Sequence, residues 1–327
     1  MAWNVGLIGL DGHQGVILEG IVERPDVHLA AVTGAPEAME RIKQHPSVSE
    51  HTVFYDDSRQ MLNEAEMDIV GVCNVNGERA PVLLACADAG VHIVSEKPLV
   101  TTLEDLSTVR STIERSGVAL TMLLTMRFEA AYWTARRLVE EGAIGEPILA
   151  SAQKSYRLGE RPEWMKDRSS FGGTVPFVGI HALDLIRWIT GRTFTEGTAY
   201  QSNIGNPQIR EMEDNASILV KLDNGGSASA HLDYLRPAAA PSHGDDAVRV
   251  AGTRGVLEVR YGKTTLLDAE GGPREMPFRN PGQFFVNFVE SLEGKTEHLI
   301  SPEDAYRMTE ICLKLREAAD VGTMTKL

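Results

Sequence analysis

Long apolar runs, cysteines and basic charge are all scarce in this chain of 327 residues. It contains no run of about 18 apolar residues, which excludes a membrane-spanning helix. The three cysteines form no C-x-x-C pair, so we predict no metal site and a reducing, cytoplasmic location. The formal net charge of −14 argues against nucleic acid as a partner, because a phosphate backbone requires a basic face.

Two different apolar patterns divide the chain near residue 125. Residues 1–124 alternate short strands with helices, starting with Trp3–Ile8 in an N-terminus (MAWNVGLIGL) that lacks the basic segment of a signal peptide. This alternation predicts an α/β domain with a doubly wound parallel sheet. Residues 125–327 carry closely spaced strands such as Ala216–Leu222 and Ser227–Tyr234, which predict a mainly antiparallel sheet.

The segment GLIGLDGHQG, residues 6–15, nearly spells a dinucleotide-binding loop. Its glycines Gly9, Gly12 and Gly15 follow the first strand, but Asp11 stands where the second glycine of Gly-x-Gly-x-x-Gly is expected. A Gly-x-x-Gly-x-x-Gly variant can still bring a pyrophosphate to a helix N-terminus. The alternative is an ordinary turn between strand and helix.

The end of the second strand bears on the choice of nicotinamide cofactor. It ends at Thr33-Gly34, without the carboxylate that holds the ribose hydroxyls of NAD. A carboxylate would repel a 2′-phosphate, whereas a hydroxyl, a glycine and the nearby Arg41 or Lys43 can accept one. The pattern favours NADP over NAD, and the alternative is a simple turn that ends the strand.

Two further segments carry titratable side chains in positions suited to catalysis. Glu96 and Lys97 follow a buried strand, so they should lie at the carboxyl edge of the sheet, where ligands bind; a surface ion pair is the alternative. His181 starts a helix, where a neutral imidazole is favoured and can accept a proton; the alternative is a structural histidine. Asp184 follows one turn later, but no third ligand suggests a metal.

Taken together, these segments resemble the Gfo/Idh/MocA family of nicotinamide-dependent oxidoreductases, which includes glucose–fructose oxidoreductase and inositol dehydrogenase. The similarity covers nearly the whole chain, notably GVHIVSEKP at 90–98, Arg127-Phe128, and a Gly-Gly-x5-Gly-x-His-x-x-Asp pattern ending at Asp184. The resemblance implies a Rossmann domain over residues 1–124. It also implies a substrate-binding α/β domain over 125–327 with a large open sheet, through which homodimers or homotetramers form, and a last helix that can pack back on the first domain.

The resemblance also implies roles for individual residues. His181 is the acid/base that takes the hydroxyl proton as hydride leaves for the nicotinamide, and Lys97 polarises the substrate oxygen. The implied cofactor contacts are Gly9, Gly12, His13, Gln14, Thr33, Gly34, Asn74, Val75, Asn76, Glu96 and Lys97. The candidate substrate contacts are Arg127, Lys154, Tyr156, Arg161, Trp164 and Asp184.

The chain departs from the family pattern near the proposed base. Many dehydrogenases of the family have an acid four residues before the histidine, where this chain has Phe177, and Val75 and Arg79 replace a common proline and histidine. We predict an NAD(P)-dependent dehydrogenase acting on a sugar, cyclitol or related polyol. The alternatives are a non-catalytic regulator that binds dinucleotide or sugar, and cofactor-assisted glycoside cleavage or elimination.

Overall fold

Strands and helices alternate through the first 125 residues of the computed structural model, which describes residues 2–327. The strands are β1 Trp3–Ile8, β2 Val27–Thr33, β3 Val53–Tyr55, β4 Ile69–Val72, β5 His92–Ser95 and β6 Leu120–Met122. The helices are α1 Gln14–Glu23, α2 Pro36–Ile42, α3 Ser58–Glu64, α4 Arg79–Asp88 and α5 Leu103–Ser116. The strands form a parallel sheet in the order β3-β2-β1-β4-β5-β6, which confirms the prediction.

The strand order of this sheet determines where a ligand can bind. The order reverses between β1 and β4, and doubly wound sheets bind ligands beyond the carboxyl ends of their strands at this reversal. Leu7 and Ile8 of β1, whose side chains point to opposite faces, are both buried, as expected for a strand covered by helices on both faces. The first residues beyond β1 therefore occupy the edge at which a dinucleotide would sit.

Beyond residue 125 the strands follow one another closely. The elements are α6 Ala130–Glu140, β7 Pro147–Arg157, α7 Arg168–Phe171, α8 Ile180–Thr190, β8 Phe194–Ser202, β9 Asn215–Leu222, β10 Ser227–Arg236, β11 Gly244–Gly252, β12 Val256–Arg260, β13 Lys263–Asp268, β14 Gly271–Glu275, α9 Phe284–Leu292, α10 Pro302–Val321 and β15 Thr325–Lys326. The strands from β7 onward form a mixed sheet in the order β14-β13-β12-β11-β7-β10-β9-β8-β15. Its β7–β10 pair is parallel and its other pairs are antiparallel, so the predicted mainly antiparallel sheet is confirmed.

The two faces of this nine-stranded sheet have different environments. Helices α6 and α8 pack on one face, where Ala150 and Ala152 of β7 and Leu232 of β10 are buried. The residues between them point to the other face, and Leu149 of β7 is exposed there. This second face, which we call the open face, is not covered by a helix of its own unit in the part of the chain that the structure describes.

The chain divides into two compact units. The first contains the residues up to Thr125 together with Gly282–Thr309, and the second contains Met126–Pro281 and Glu310–Leu327. Helix α10 contributes to both units, and Ser301 caps its start: the Asp304 backbone N–H donates to Ser301 Oγ at 3.1 Å. None of the described helices combines the length and apolar character needed to cross a membrane.

Candidate functional site

The turn after β1 brings the carboxyl ends of three strands together. The Gly9 backbone N–H donates to the Thr33 carbonyl oxygen of β2 at 2.8 Å. Gly9 has a φ of +79°, and a Cβ at this position would lie 2.4 Å from the backbone nitrogen of Asn74, which follows β4. Only glycine fits this turn, because a side chain would collide with the neighbouring strand end.

Gly12, the second glycine of the loop, leaves room for the carboxylate of Glu96. A Cβ at Gly12 would lie 2.2 Å from Glu96 Oε1. The same oxygen accepts a hydrogen bond from the His13 backbone N–H and lies 2.7 Å from His13 Nδ1, and Glu96 Oε2 accepts one from the Lys97 backbone N–H at 2.9 Å. Glu96 thus connects the glycine loop to Lys97, the residue predicted to act on the substrate.

The charge of Glu96 is stabilised inside the protein. Burial by itself raises the pKa of this carboxyl, but the His13 imidazole, through charge and hydrogen bonding, and then the Lys97 and Arg79 cations, lower it well below its ordinary value. Glu96 is therefore ionised at neutral pH. The Lys97 side chain beside it is only 3% exposed, and the Lys97–Pro98 peptide bond is cis.

Arg79 is a site residue whose role the sequence did not reveal. Its side chain is fully buried and donates to the carbonyl oxygens of Pro98 and of Asn74, the latter at 2.6 Å, and to Asn76 Oδ1 at 2.8 Å. Arg79 thus holds the segment after β4 against the segment after β5. Asn76, a predicted cofactor contact, is itself buried and bound to Arg79.

A cavity of about 330 Å³ opens at the reversal of strand order in the first unit. Its walls include five of the predicted cofactor residues, Gly9, Thr33, Gly34, Asn74 and Val75. Four carboxylate residues also line it: Asp11, Asp56, Asp57 and Glu78. No lysine or arginine belongs to the lining, among the residues that the structure describes.

The basic residues that were expected near the second strand lie elsewhere. The Lys43 ammonium pairs with Glu40 and lies 5.3 Å from the centre of the Phe54 ring. Arg41 lines a separate cavity, which it shares with Gln14, another predicted cofactor residue. The described cavity lining therefore contains no cation, although the charges of Arg79 and Arg41 oppose the rise that burial causes in the pKa of Asp11.

The cavity fits a dinucleotide by its position and by one buried polar atom that lacks a partner. Asn74 Oδ1 is buried and has no hydrogen-bond partner within the described chain. A buried acceptor of this kind requires a donor from a ligand or from water, and ribose hydroxyls are such donors. With the loop at Gly9 and the start of α1, these residues would hold NAD or NADP, which supplies hydride transfer when bound.

In the second unit, His181 lies near the start of α8. A π-helical turn, Val175–Gly179, directly precedes this helix, and such turns are frequent at functional sites. The His181 side chain is buried in this unit. Phe177, which the sequence analysis noted as a departure from the family pattern, packs its ring on Phe171 at 5.1 Å and on Trp164 at 6.4 Å.

Two of the predicted substrate contacts, Arg127 and Asp184, bind each other. Arg127 Nε and Nη2 donate to the two carboxylate oxygens of Asp184 at 2.9 and 2.6 Å. Both side chains are only 2% exposed, and the guanidinium lies 5.6 Å from the centre of the Trp188 ring. Both charges are thus neutralised within the unit, and the pair ties the segment before α6 to α8.

The remaining substrate candidates lie along β7 and the segment that follows it. Lys154 is buried and paired with Asp246, and its ammonium lies 5.3 Å from the centre of the Tyr156 ring. Burial lowers the pKa of Lys154, although the Asp246 carboxylate opposes this shift. Tyr156 stacks on His243 at 5.1 Å between ring centres.

Arg161 and Trp164 complete this group. The Arg161 guanidinium lies 4.6 Å from the centre of the Tyr234 ring, and Tyr234 packs on Tyr156 at 6.2 Å. Arg161 Nε, Trp164 Nε1 and the Tyr234 hydroxyl are buried without partners in the described chain. Tyr234 and His243 are functional candidates that the sequence analysis missed, because neither lies in a recognisable motif.

Comparisons with known proteins cover most of the chain. Residues 3–124 match the model of an oxidoreductase family with an NAD-binding Rossmann fold, and residues 132–258 match the model of the GFO/IDH/MocA C-terminal domain. The uncharacterized oxidoreductase YrbE of Bacillus subtilis (strain 168) is 28% identical over 288 residues, which cover 88% of this chain and 82% of the relative.

Two further similarities come from Thermotoga maritima. Its myo-inositol 2-dehydrogenase is 25% identical over 272 residues, which cover 82% of this chain and 79% of the relative. A solved structure from this organism, described as an oxidoreductase, superposes with a TM-score of 0.93 at 35% identity, covering 99% of this chain and 100% of that chain.

Proposed function

The chain belongs to the Gfo/Idh/MocA family of oxidoreductases, and from this membership we propose that it oxidises a hydroxyl group of a sugar, cyclitol or related polyol with a nicotinamide cofactor. In this reaction His181 accepts the proton of the substrate hydroxyl while its carbon gives up a hydride, and Lys97 polarises the oxygen. The inositol dehydrogenases among the relatives support a polyol as the substrate class.

One observation carries this proposal further than family membership does. The Glu96 carboxylate joins the glycine loop, through His13, to the backbone of Lys97. The cofactor loop and the proposed polarising lysine are therefore held in one hydrogen-bonded group at the carboxyl edge of the sheet. An isolated turn or a surface ion pair would not need this buried arrangement.

The proposal is tested by a polyol panel with added NAD or NADP, in which reduced nicotinamide is followed by its fluorescence. We expect turnover with at least one sugar or cyclitol. Cofactor binding without turnover on any polyol would favour the regulator. A released leaving group without net reduced nicotinamide would favour glycoside cleavage or elimination.

The preference between NAD and NADP is a further part of the proposal. The strand end Thr33-Gly34 favours NADP, whereas the negative charge of the cavity wall favours NAD. Asp56 and Glu78 line the cavity and make no ion pair within the described residues, so they can accept hydrogen bonds from ribose hydroxyls and repel a 2′-phosphate. We therefore propose NAD as the preferred cofactor.

We expect the wild-type protein to bind NADH about 10-fold or more tightly than NADPH, a difference of about 1.4 kcal/mol. The double variant Asp56→Asn, Glu78→Gln should reduce this ratio, because it removes two negative charges from the cavity wall. Fluorescence titration with each reduced cofactor measures both effects. The matched control is Asp88→Asn, an exposed carboxylate of α4 outside the cavity. Tighter binding of NADPH by the wild type would contradict this assignment and restore the preference predicted from the strand end.

We also propose that the protein forms a homodimer or homotetramer through the open face of the nine-stranded sheet. Large apolar side chains are exposed there, with Tyr200 72% and Leu219 55% exposed. In the strand register, Leu219 is paired with Ser229 and Tyr200 with Ser217. Because serine side chains are small, Leu219 and Tyr200 protrude from the surface beside them. A second copy of the chain would cover this apolar surface.

Replacing Leu219 with glutamate should convert the oligomer to monomers, because a second copy would then have to bury a charge against an apolar surface. Size-exclusion chromatography with light scattering gives the mass directly. Val22→Glu on α1 is the control, since Val22 is exposed to a similar degree in the first unit. A monomeric wild type, or an L219E variant that keeps the wild-type mass, would show that this face is not the interface.

A further inference from the structure

A cavity in the second unit lies at the ends of β7 and β10. It has a volume of about 570 Å³, within the size range of small-molecule sites. Arg157, Tyr234, Arg236 and His243 are among the residues that line it. A neighbouring cavity shares Leu158 and Gly159 with it and adds Arg161, Lys166 and Glu160. The two cavities adjoin at these shared residues, and we call them together the arginine cavity.

The arginine cavity is cationic in a chain whose net charge is −14. Within the described residues, no carboxylate lies within 4.0 Å of the guanidinium of Arg157 or Arg161, although most other arginines of this chain are paired. Arg236 lies 3.7 Å from Asp245, whose carboxylate is closer to Arg260 at 3.0 Å. Glu160 is the sole carboxylate residue in the described lining.

The unpaired arginines are held in place by uncharged partners. Arg161 Nη2 donates to the Arg157 carbonyl oxygen at 3.3 Å, and Arg157 Nη1 donates to the Ala238 carbonyl oxygen at 3.3 Å. Burial lowers the pKa of His243 below its ordinary value, and the charges of Arg161 and Arg157 add to this shift, while the Asp246 carboxylate opposes it. Within the described residues, neither guanidinium group therefore has a carboxylate at salt-bridge distance.

A polar atom in the wall of the cavity also lacks a partner. The Tyr234 side chain is 3% exposed, and its hydroxyl makes no hydrogen bond within the described chain. Arg161 Nε, above the Tyr234 ring, is buried and unpartnered as well. Buried polar atoms are rarely left unsatisfied, so two of them beside one cavity indicate a polar ligand.

We propose that the arginine cavity binds an oxyanion carried by a polyhydroxylated ligand, with Arg157 and Arg161 holding the anion and the Tyr234 hydroxyl contacting a neighbouring hydroxyl group. Arginine suits this role, because its planar fork can donate two parallel hydrogen bonds to a carboxylate or a phosphate. The inference rests on the proposed function in one respect, since it assigns the dehydrogenase an acidic or phosphorylated sugar as its substrate. The binding site itself does not depend on hydride transfer.

The first experiment is isothermal titration calorimetry without any nicotinamide cofactor, using D-glucuronate, D-glucose 6-phosphate and neutral D-glucose as probes. We expect at least one anionic probe to bind about 10-fold or more tightly than glucose. Tighter binding of glucuronate would identify the oxyanion of the ligand as a carboxylate. Tighter binding of glucose 6-phosphate would identify it as a phosphate. If neither anion binds more tightly than glucose, the proposal is wrong, whereas a dehydrogenase for neutral polyols still stands.

Matched variants test the assigned residues. Arg157→Gln and Arg161→Gln should each remove most of the preference for the anion. The control is Arg249→Gln, because Arg249 is an exposed arginine of β11 outside the cavity. Tyr234→Phe should weaken binding of the anionic probe, while Tyr261→Phe, at an exposed tyrosine, should not. Thermal melting of each variant shows whether it is folded. Loss of the preference in R249Q, or its retention in both R157Q and R161Q, would overturn the assignment.

Discussion

Replacing Lys97 with methionine is expected to lower kcat/KM for the polyol substrate by about 100- to 10,000-fold, the usual contribution of a positioned acid or base. Methionine preserves most of the side-chain volume of this buried residue and removes the ammonium group. The loss should appear chiefly in kcat, since polarisation of the oxygen matters most as charge develops on it in the transition state. Steady-state kinetics with the substrate found in the polyol panel measure the effect.

The same experiment on His181 tests the proposed proton acceptor. The variant His181→Asn should lower kcat/KM by a similar factor. The K97M/H181N double variant should have a kcat/KM only slightly below that of the less active single variant, because the effects of residues that act on one step are not additive. The control is Lys263→Met, an exposed lysine of β13. Each variant should still bind NADH with a Kd within about 10-fold of wild type, which separates lost chemistry from lost binding. Full turnover in both single variants would show that the assigned roles are incorrect.

Replacing Arg127 with methionine should destabilise the second unit by about 3–5 kcal/mol, because the Asp184 carboxylate would remain buried without its partner. For a unit of this size, we expect a fall in Tm of roughly 6–20 °C for the transition of the second unit. Thermal unfolding followed by circular dichroism measures the shift. We interpret Arg127 and Asp184 as residues that fix the start of α8, where His181 lies, rather than as substrate contacts.

The double variant Arg127→Met, Asp184→Leu distinguishes an unpaired buried charge from a general packing defect. It should recover much of the stability lost by R127M, since replacing both partners of a buried pair by apolar groups is often nearly neutral. The control is Arg137→Met, which breaks a partly exposed pair with Glu140 and should cost no more than about 1 kcal/mol. Equal Tm values for R127M and R137M would contradict the role given to the buried pair.

Much of the first unit could be predicted from its sequence, because the signals that define it are local. A buried strand followed by glycine predicts the turn at Gly9, and strands separated by helices predict a parallel sheet. In such a sheet the residue after each strand reaches the same edge. For this reason the sequence could also predict that Gly9, Thr33, Asn74 and Glu96 lie at one end of the molecule's first sheet.

The sequence did not reveal the central strand of the second sheet. β7, Pro147–Arg157, is rich in small and polar residues, including Ala150, Ser151 and Lys154, so its alternation of apolar and polar residues is weak. It is a strand because it pairs with β10 and β11, which follow it by about 70 or more residues along the chain. The sequence also does not show how short the last strand of the first sheet is, since only Leu120–Met122 of the segment Val118–Leu124 forms a strand.

The sequence by itself determined the fold class, the family and the edge of the sheet that carries the cofactor loop. Only the tertiary structure decided which charges meet. It paired Arg127 with Asp184, placed Asp56 and Glu78 in the cavity at the strand-order reversal, and left Arg157 and Arg161 without a carboxylate within 4.0 Å among the described residues. The physical reason is that strand and turn signals act over a few residues, whereas the partner of a charged side chain is set by distant segments that packing brings together.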